Sequence, residues 1–406
     1  MFFKLAWRNI WRNKRRTLIT ISAISFAVIC SIFMQSINRG SHEVMIDNMV
    51  RFHTGHLQIQ DFRYLDESSL DNSFFFDEDF VQELMDADHR IQLIISRIET
   101  FMLAGNEHST RGALLLGILP EKENQFNRIR DHLVEGHFFE RDEVGVVVGR
   151  GLSQRLNLSL GDQLLLMGQG RFGISANALY PIVGVIDHPL RDMNDQIVYL
   201  PLHEAQEFLS APSHITKALV ALETDRHTQL VANSLESALE SEELLVYRWP
   251  ELMPELLQLL EFDLVGAYFL SAVLYIVIGF GLFGTILTMT LERLREFGVL
   301  LSVGLQRSGL GAILFIEVVL MGLLGVSLGI ALSWIILLYF YYRPIELTGE
   351  MAQTVIDMGW EPVLPMSFAW DQFYTQGLIV FFISMGVAIF PLIKVKRLNI
   401  LEASRR

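Results

Sequence analysis

Four apolar runs, Thr17 to Ile37, Leu264 to Leu287, Leu310 to Tyr342 and Phe373 to Ile393, decide what this chain can fold into. Each reaches the about 20 residues that a helix needs to cross a roughly 30 Å hydrocarbon core. Backbone inside hydrocarbon must satisfy its own polar groups, so each run is expected as a spanning helix. A block of mixed polarity, residues 39–263, separates the first two runs. With 51% hydrophobic residues the chain is too apolar for an ordinary soluble protein, and with 19% charged residues too polar for one wholly embedded.

Charge sets the orientation. Residues 1–16 carry Lys4, Arg8, Arg12, Lys14, Arg15 and Arg16 and no acid, and beyond Ile393 come Lys394, Lys396, Arg397, Arg405 and Arg406 against Glu402 alone. The positive-inside bias places both ends in the cytoplasm, as an even number of spans allows. Residues 39–263 hold 17 Lys or Arg against 37 Asp or Glu, so this acidic block belongs on the other side. Nothing is basic enough to bind nucleic acid. A basic start before an apolar run also fits a secretory signal peptide. This run is longer than the usual apolar region, and SIFMQSINRGS offers no A-x-A cleavage site, which favours an uncleaved anchor. The only cysteine, Cys30, lies inside that anchor, so neither a disulfide framework nor a cysteine metal site is expected.

In MFFKLAWRNIWRNKRRT, Phe3, Trp7, Ile10 and Trp11 recur near helical spacing, with Lys4, Arg8, Arg12 and Arg15 on another stripe. Such a helix lies in the headgroup plane, anchored by Trp7, Arg8, Trp11 and Arg12. A plain positive flank fits the same residues. The acidic block reads as mixed α and β, with strands at 56–60, 91–95, 113–118, 144–148, 163–167, 180–186, 197–200 and 218–222. Helices are expected at 77–86, 151–156, 202–209 and 225–240, the last capped by Asp225. Two strand-and-helix lobes on one stalk fit this pattern.

Several motifs carry no chemistry. GQGRFG at 168–173 and GFGLFG at 279–284 match the dinucleotide fingerprint, but the first leads into more strand and the second lies inside an apolar span. HEAQE at 203–207 ends in Glu207, so it is not a zinc-binding H-E-x-x-H, and no phosphate-binding G-x-x-x-x-G-K-[ST] occurs. ATP, if it drives this chain, is expected at a site on another polypeptide.

LERLREFGVLLSVGLQRSGLGAILFIEVVLMGLLG, from Leu291 onward, resembles the signature of the FtsX-like permease family, where a charged helix with an E-R-x-R-E-F/I-G core joins the second and third spans. WRNIWRNKRRT resembles that family's amphipathic lead-in helix. VVVGRGLSQRLNLSLGDQLLL, YPIVGVI and VYLPLHEAQEFL resemble the extracytoplasmic domain of its macrolide-exporter (MacB-type) and lipoprotein-releasing (LolC and LolE type) branches. VYRWPELMPELLQLLEFD looks most like the lipoprotein-releasing branch, and KVKRLNILEASRR is similar to the family's closing segment.

The resemblance implies a multi-pass protein of the bacterial inner membrane: four transmembrane helices plus a large mixed α/β extracytoplasmic domain inserted between the first two. The expected organisation is a lead-in helix (1–16), first span (17–38), extracytoplasmic domain (39–263), second span (264–290), coupling helix and loop (291–309), third span (310–342), a shorter outer segment (343–371), fourth span (372–393) and cytoplasmic tail (394–406). It further implies an ABC transporter whose ATPase dimer is a separate cytoplasmic component that binds the ATP and magnesium, and a second permease subunit, identical or paralogous. This chain is then no enzyme and holds no cofactor of its own. The coupling helix is expected to dock Leu294, Phe297 and Leu301 inward beside Gly298 and to show Glu292, Arg293, Arg295 and Glu296 to the ATPase.

Within the spans, Gly279, Gly281 and Gly284 in the second and Gly322, Gly325 and Gly329 in the third offer small faces for close helix approach. Ser22, Ser25, Ser31, Gln35 and Ser36 in the first either line an interface or cavity or bond back to their own helix. Glu317 is expected to lie shallow, within snorkelling reach of water or Arg307. A path for lipoprotein or lipid cargo is expected between first and second spans of paired subunits, past Phe33, Met34 and Ile37 on one side and Phe269, Leu270, Val273 and Leu274 on the other; lipid-facing packing fits the same residues. Three functions stay open: transport of lipoprotein or amphiphile with a periplasmic carrier or adaptor, transmembrane signalling of the cell-division type, and a membrane-anchored assembly protein without an ATPase.

Overall fold

The computed structural model describes every residue except 1, 13, 141–142, 240, 242, 358–361 and 397–406, so most of the expected tail lies outside the described residues. The chain forms two compact units, one of residues 1–44, 259–346 and 363–406, the other of 45–258 and 347–362.

The first unit is helical. A lead-in helix, Phe2–Arg12, precedes four long helices, Lys14–Met49, Pro254–Glu292, Arg307–Tyr342 and Trp370–Lys396, with a short coupling helix, Leu294–Ser302, between the second and third. All four long helices contain a stretch long and apolar enough to cross a membrane. The first and second outlast their apolar runs, and polar pairs join them there: His42 Nε2 meets Asp263 at 2.5 Å, and Arg39 donates to Asp371 of the fourth helix at 2.6 Å. Beyond the apolar run, polar pairs thus add to the buried side chains of Met45, Leu256 and Leu260.

Glycine brings the first and third long helices together. A Cβ added at Gly325 would lie 2.7 Å from Ile24 Cβ, and one at Gly329 would lie 2.8 Å from Val28 Cβ. Ser25 Oγ donates across this contact to the Gly325 carbonyl at 2.8 Å. Of the small face expected on the second long helix, a Cβ at Gly279 would meet Ile383 at 3.7 Å, while Gly281 and Gly284 meet nothing within 4 Å among the described residues. Three of the first helix's serines, Ser25, Ser31 and Ser36, bond to other parts of the chain. Ser31 reaches Gln376 and Tyr275, and Ser36 donates to the Ser367 carbonyl.

The second unit is built on one sheet. Its chain order is β1 (Leu57–Asp61), β2 (Phe74–Phe75), β3 (Ile91–Gly105), β4 (Thr110–Ile118), β5 (Leu133–Gly136), β6 (Val146–Gly149), β7 (Gln163–Gln169), β8 (Ser175–Ile186), β9 (Ile197–Pro201), β10 (His214–Ile215), β11 (Lys217–Leu222) and β12 (Leu244–Arg248). Ten of these join in the order β12-β1-β11-β3-β4-β9-β6-β8-β5, with β7 bridging β3 and β8, while β2 pairs only with β10. The sheet is mixed, β4 with β9 and β6 with β8 being parallel.

Successive side chains on a strand point to opposite faces. Leu115, Val146, Val148, Val198 and Leu200 therefore enter one core with the helices, while Leu114, Leu116, Val147, Ile197 and Tyr199 enter a second. Two cores on one continuous sheet take the place of the expected two lobes. The helix expected at 225–240 opens as a single 3-10 turn, Asp225–His227, before Thr228–Ala238. Asp225 does not cap it, because its carboxylate accepts the Trp249 indole N–H at 3.2 Å. GQGRFG lies at the turn from β7 to β8.

Gly325→Leu or Gly329→Leu should drive the first and third helices apart, at a cost of about 1–3 kcal/mol for overpacking. The melting temperature of the purified protein in detergent should fall for both and stay unchanged for Gly284→Leu.

Candidate functional site

The connection between the second and third long helices opens with four charged residues in five, Glu292, Arg293, Arg295 and Glu296. The second helix ends at Glu292, Arg293 breaks the run at φ −97° and ψ 1°, and the coupling helix follows. It stops near Gly304, whose φ of +101° suits glycine, before Gln306 leads into the third helix.

Arg293 does not face water, as the sequence suggested. It is 3% exposed, and its Nη1 donates to Glu317 Oε2 at 2.6 Å. Glu317 is itself 1% exposed and accepts a second bond from Asn9 Nδ2 of the lead-in helix at 2.8 Å. Glu317 therefore does not snorkel to water as expected but is paired inside the protein. A buried charge persists only with a partner, and Arg293 and Asn9 supply one from two other helices. Glu296, one turn beyond Arg293, accepts from Arg12 Nη2 at 2.8 Å and lies 3.5 Å from Arg293 Nε. Lead-in helix, coupling helix and third spanning helix are thus tied by Arg293, Glu317, Asn9, Glu296 and Arg12.

The coupling helix has two faces. Phe297 and Leu301 enter a small core with Leu310 and Leu314, and the Arg293 guanidinium sits over the Phe297 ring. Gly298 is buried beside them. The Leu294 side chain lies outside the described residues. On the outer face Glu292, Arg295 and Glu296 are exposed, together with Val299, Leu300 and Val303. An exposed apolar strip flanked by charge suits a partner's groove.

The lead-in helix buries Ala6 and Ile10, Ile10 packing on Val318, Met321 and Ala388, and exposes Phe3, Trp7 and Trp11. Trp7 and Trp11 pack edge to face at 6.0 Å, and Arg8 is exposed. Of the expected cargo residues, Phe33 and Ile37 turn into this chain's own core, Phe33 meeting Phe340 edge to face. Phe269, Leu270 and Val273 are exposed, and Met34 and Leu274 are half-buried.

In the other unit, charge is buried where the chain enters. Arg97, 2% exposed, pairs with the fully buried Glu123 and donates to the Phe52 and His53 carbonyls at 3.0 and 3.2 Å. Those carbonyls belong to a π-helical turn, Val50–Thr54, that precedes β1. Lys217 pairs with Glu99 at 3.0 Å beneath it. β1 pairs antiparallel with β12, Leu57 opposite Arg248, so the chain enters and leaves the domain on neighbouring strands.

Two family profiles match the chain, the MacB-like periplasmic core domain over residues 17–238 and the FtsX-like permease C-terminal region over 268–400. The chain belongs to the FtsX-like permease family. The macrolide export ATP-binding/permease protein MacB of Wolinella succinogenes is 24% identical to this permease over 363 residues, which are 82% of this chain and 53% of that protein. The chain thus spans about half the length of this curated relative. Among solved structures, the extracellular domain of the noncanonic ABC-type transporter YknZ from Gram-positive bacteria is 13% identical, with 47% of this permease and 99% of that chain covered and a TM-score of 0.35. The periplasmic region of MacB from Actinobacillus actinomycetemcomitans is 14% identical, with 50% and 94% covered and a TM-score of 0.36.

Glu317→Ala strands the Arg293 charge and should cost about 3–5 kcal/mol, whereas Arg293→Met with Glu317→Leu should recover most of the melting temperature. A second outcome concerns pH. Burial, with Lys217 and Arg97 nearby, depresses His53 to about 4 against the pull of Glu99. Burial also lowers His188 to about 3, with His132, Arg97 and His53 adding to it and its bond with Leu190 opposing it. Both rings stay neutral in the fold while the unfolded chain takes up protons below about 6.5. Their stability contribution is therefore complete above pH 6.5 and lost as pH falls toward 4. Hydrogen-exchange protection of β3 and β11, corrected for intrinsic rate, should drop between pH 7 and 5 and drop less in a His53→Asn, His188→Asn protein.

Proposed function

We propose that this chain transmits movement of a cytoplasmic ABC ATPase dimer through the membrane to its acidic domain, releasing lipoprotein from the outer leaflet of a bacterial inner membrane. The coupling helix carries this reading. Arg295, Val299, Leu300 and Val303 form an uncovered docking strip, while Arg293 on the opposite face is bound to Glu317 of the third spanning helix. A push on the outer face is passed inward through a buried ion pair, without a catalytic group in between. Basic flanks put this helix in the cytoplasm, and residues 347–362 share a compact unit with 45–258, as two segments on the outer side would.

A second permease subunit, identical or paralogous, would complete the membrane part, with exposed Phe269, Leu270 and Val273 available to it or to acyl chains. ATP and magnesium would bind the ATPase. A second reading, export of an amphiphile or peptide with a periplasmic adaptor, is favoured by the match to the MacB-like periplasmic core domain.

Arg295→Glu with Leu300→Asp should weaken ATPase association about tenfold or more, as removal of interface anchors does, and leave the melting temperature unchanged. In proteoliposomes with the ATPase and any paralogous subunit, acylated lipoprotein should leave the membrane on ATP addition with the wild type and stay with the variant. ATPase stimulation by soluble amphiphiles, without lipoprotein release, would select the export reading.

A further inference from the structure

A cleft of about 990 Å³ opens between the first and second long helices at the end where both meet the coupling region. Its rim carries Arg12, Lys14 and Arg15 against Glu292, an excess of positive charge. Arg12 is engaged by Glu296, whereas Lys14 and Arg15 have no ion-pair partner among the described residues.

Away from the rim the walls turn apolar. Ile19 and Phe280 are 52% and 74% exposed, and Gly281 and Gly284 leave a furrow with nothing within 4 Å of an added Cβ. Thr285 and Thr288 line the same wall, but their hydroxyls donate to the Gly281 and Gly284 carbonyls of their own helix at 3.0 and 2.8 Å. From Phe280 to Glu292 the wall runs about 18 Å at the helical rise, close to the depth of one leaflet, about 15 Å of hydrocarbon plus a headgroup.

A cationic rim over an apolar furrow of leaflet depth matches one kind of molecule. We propose that this cleft is a binding site for an anionic phospholipid of the cytoplasmic leaflet, its phosphate between Lys14 and Arg15 and an acyl chain along Gly281 and Gly284. The site is distinct from the cargo path expected in the outer halves of these helices. Its rim includes Arg12, which holds the coupling helix through Glu296, so the bound lipid adjoins the element that receives the ATPase.

This lipid site rests on the membrane orientation proposed above, but its readout needs no ATPase, so loss of lipid binding and loss of coupling are measured separately. The full chain in nanodiscs of phosphatidylcholine doped with phosphatidylglycerol should retain phosphatidylglycerol above its bulk proportion, read by native mass spectrometry. Each basic residue near an anionic headgroup contributes enough that Lys14→Gln with Arg15→Gln should reduce this enrichment about tenfold or more. Gly284→Leu, which keeps the charges and fills the furrow, should reduce retention of either lipid with the melting temperature unchanged. No enrichment in the wild type, or enrichment surviving both variants, overturns the site. A Gly284→Cys, Cys30→Ser protein that cross-links to a second copy at equal yield with and without phosphatidylglycerol would overturn it too, by showing that a partner helix fills the furrow.

Discussion

The helical unit is organised around a guanidinium and a carboxylate that have both left water. Arg293 stands at the break between the second spanning helix and the coupling helix, and Glu317 lies in the third, so their pairing fixes where the coupling helix sits. Neither charge is tolerable alone in that setting. Asn9 extends the constraint to the lead-in helix, and Phe297 packs beneath the guanidinium. An apolar contact lets neighbours slide, whereas a bidentate ion pair enforces position and angle together. The coupling helix thereby keeps one orientation while its outer face stays free.

Much of this was legible in the sequence, because period and charge act locally. The four apolar runs, the amphipathic lead-in helix and most strands of the large sheet follow from hydrophobic pattern alone. Continuous runs such as Leu114 to Leu116 and Val146 to Val148 lie in the expected strands, and each feeds two cores. What the sequence hid were choices made by tertiary partners. Arg293 and Arg295 are two residues apart with the same chemistry, and only Glu317 distinguishes the buried one from the exposed one. Likewise, Gly281 and Gly325 are equivalent in composition, but one meets open space and the other meets Ile24. Short strands such as Leu133–Gly136 and Leu244–Arg248 carry little pattern of their own and exist because a neighbour offers an edge.

The acidic domain handles its own buried charges differently. Arg97 spends its donors on Glu123 and on two carbonyls of the π-helical turn, so a side chain of the sheet holds the backbone of the incoming segment. Such turns leave carbonyls out of the regular ladder, and a buried arginine with several donors is well suited to collect them. Movement of that segment would break charge-assisted bonds and pull Phe52 out of the second core. The domain is thus tied to the segment that enters it by a stiff polar joint.

The pairing of β1 with β12 has a consequence for how such proteins arise. Adjacent strands lie about 4.8 Å apart, so an excursion of about two hundred residues begins and ends almost at the same point. A domain whose ends meet can be inserted into, or exchanged within, a host fold without stretching it. Evolution can therefore exchange this domain on the same helical unit by conserving little more than a two-strand seam.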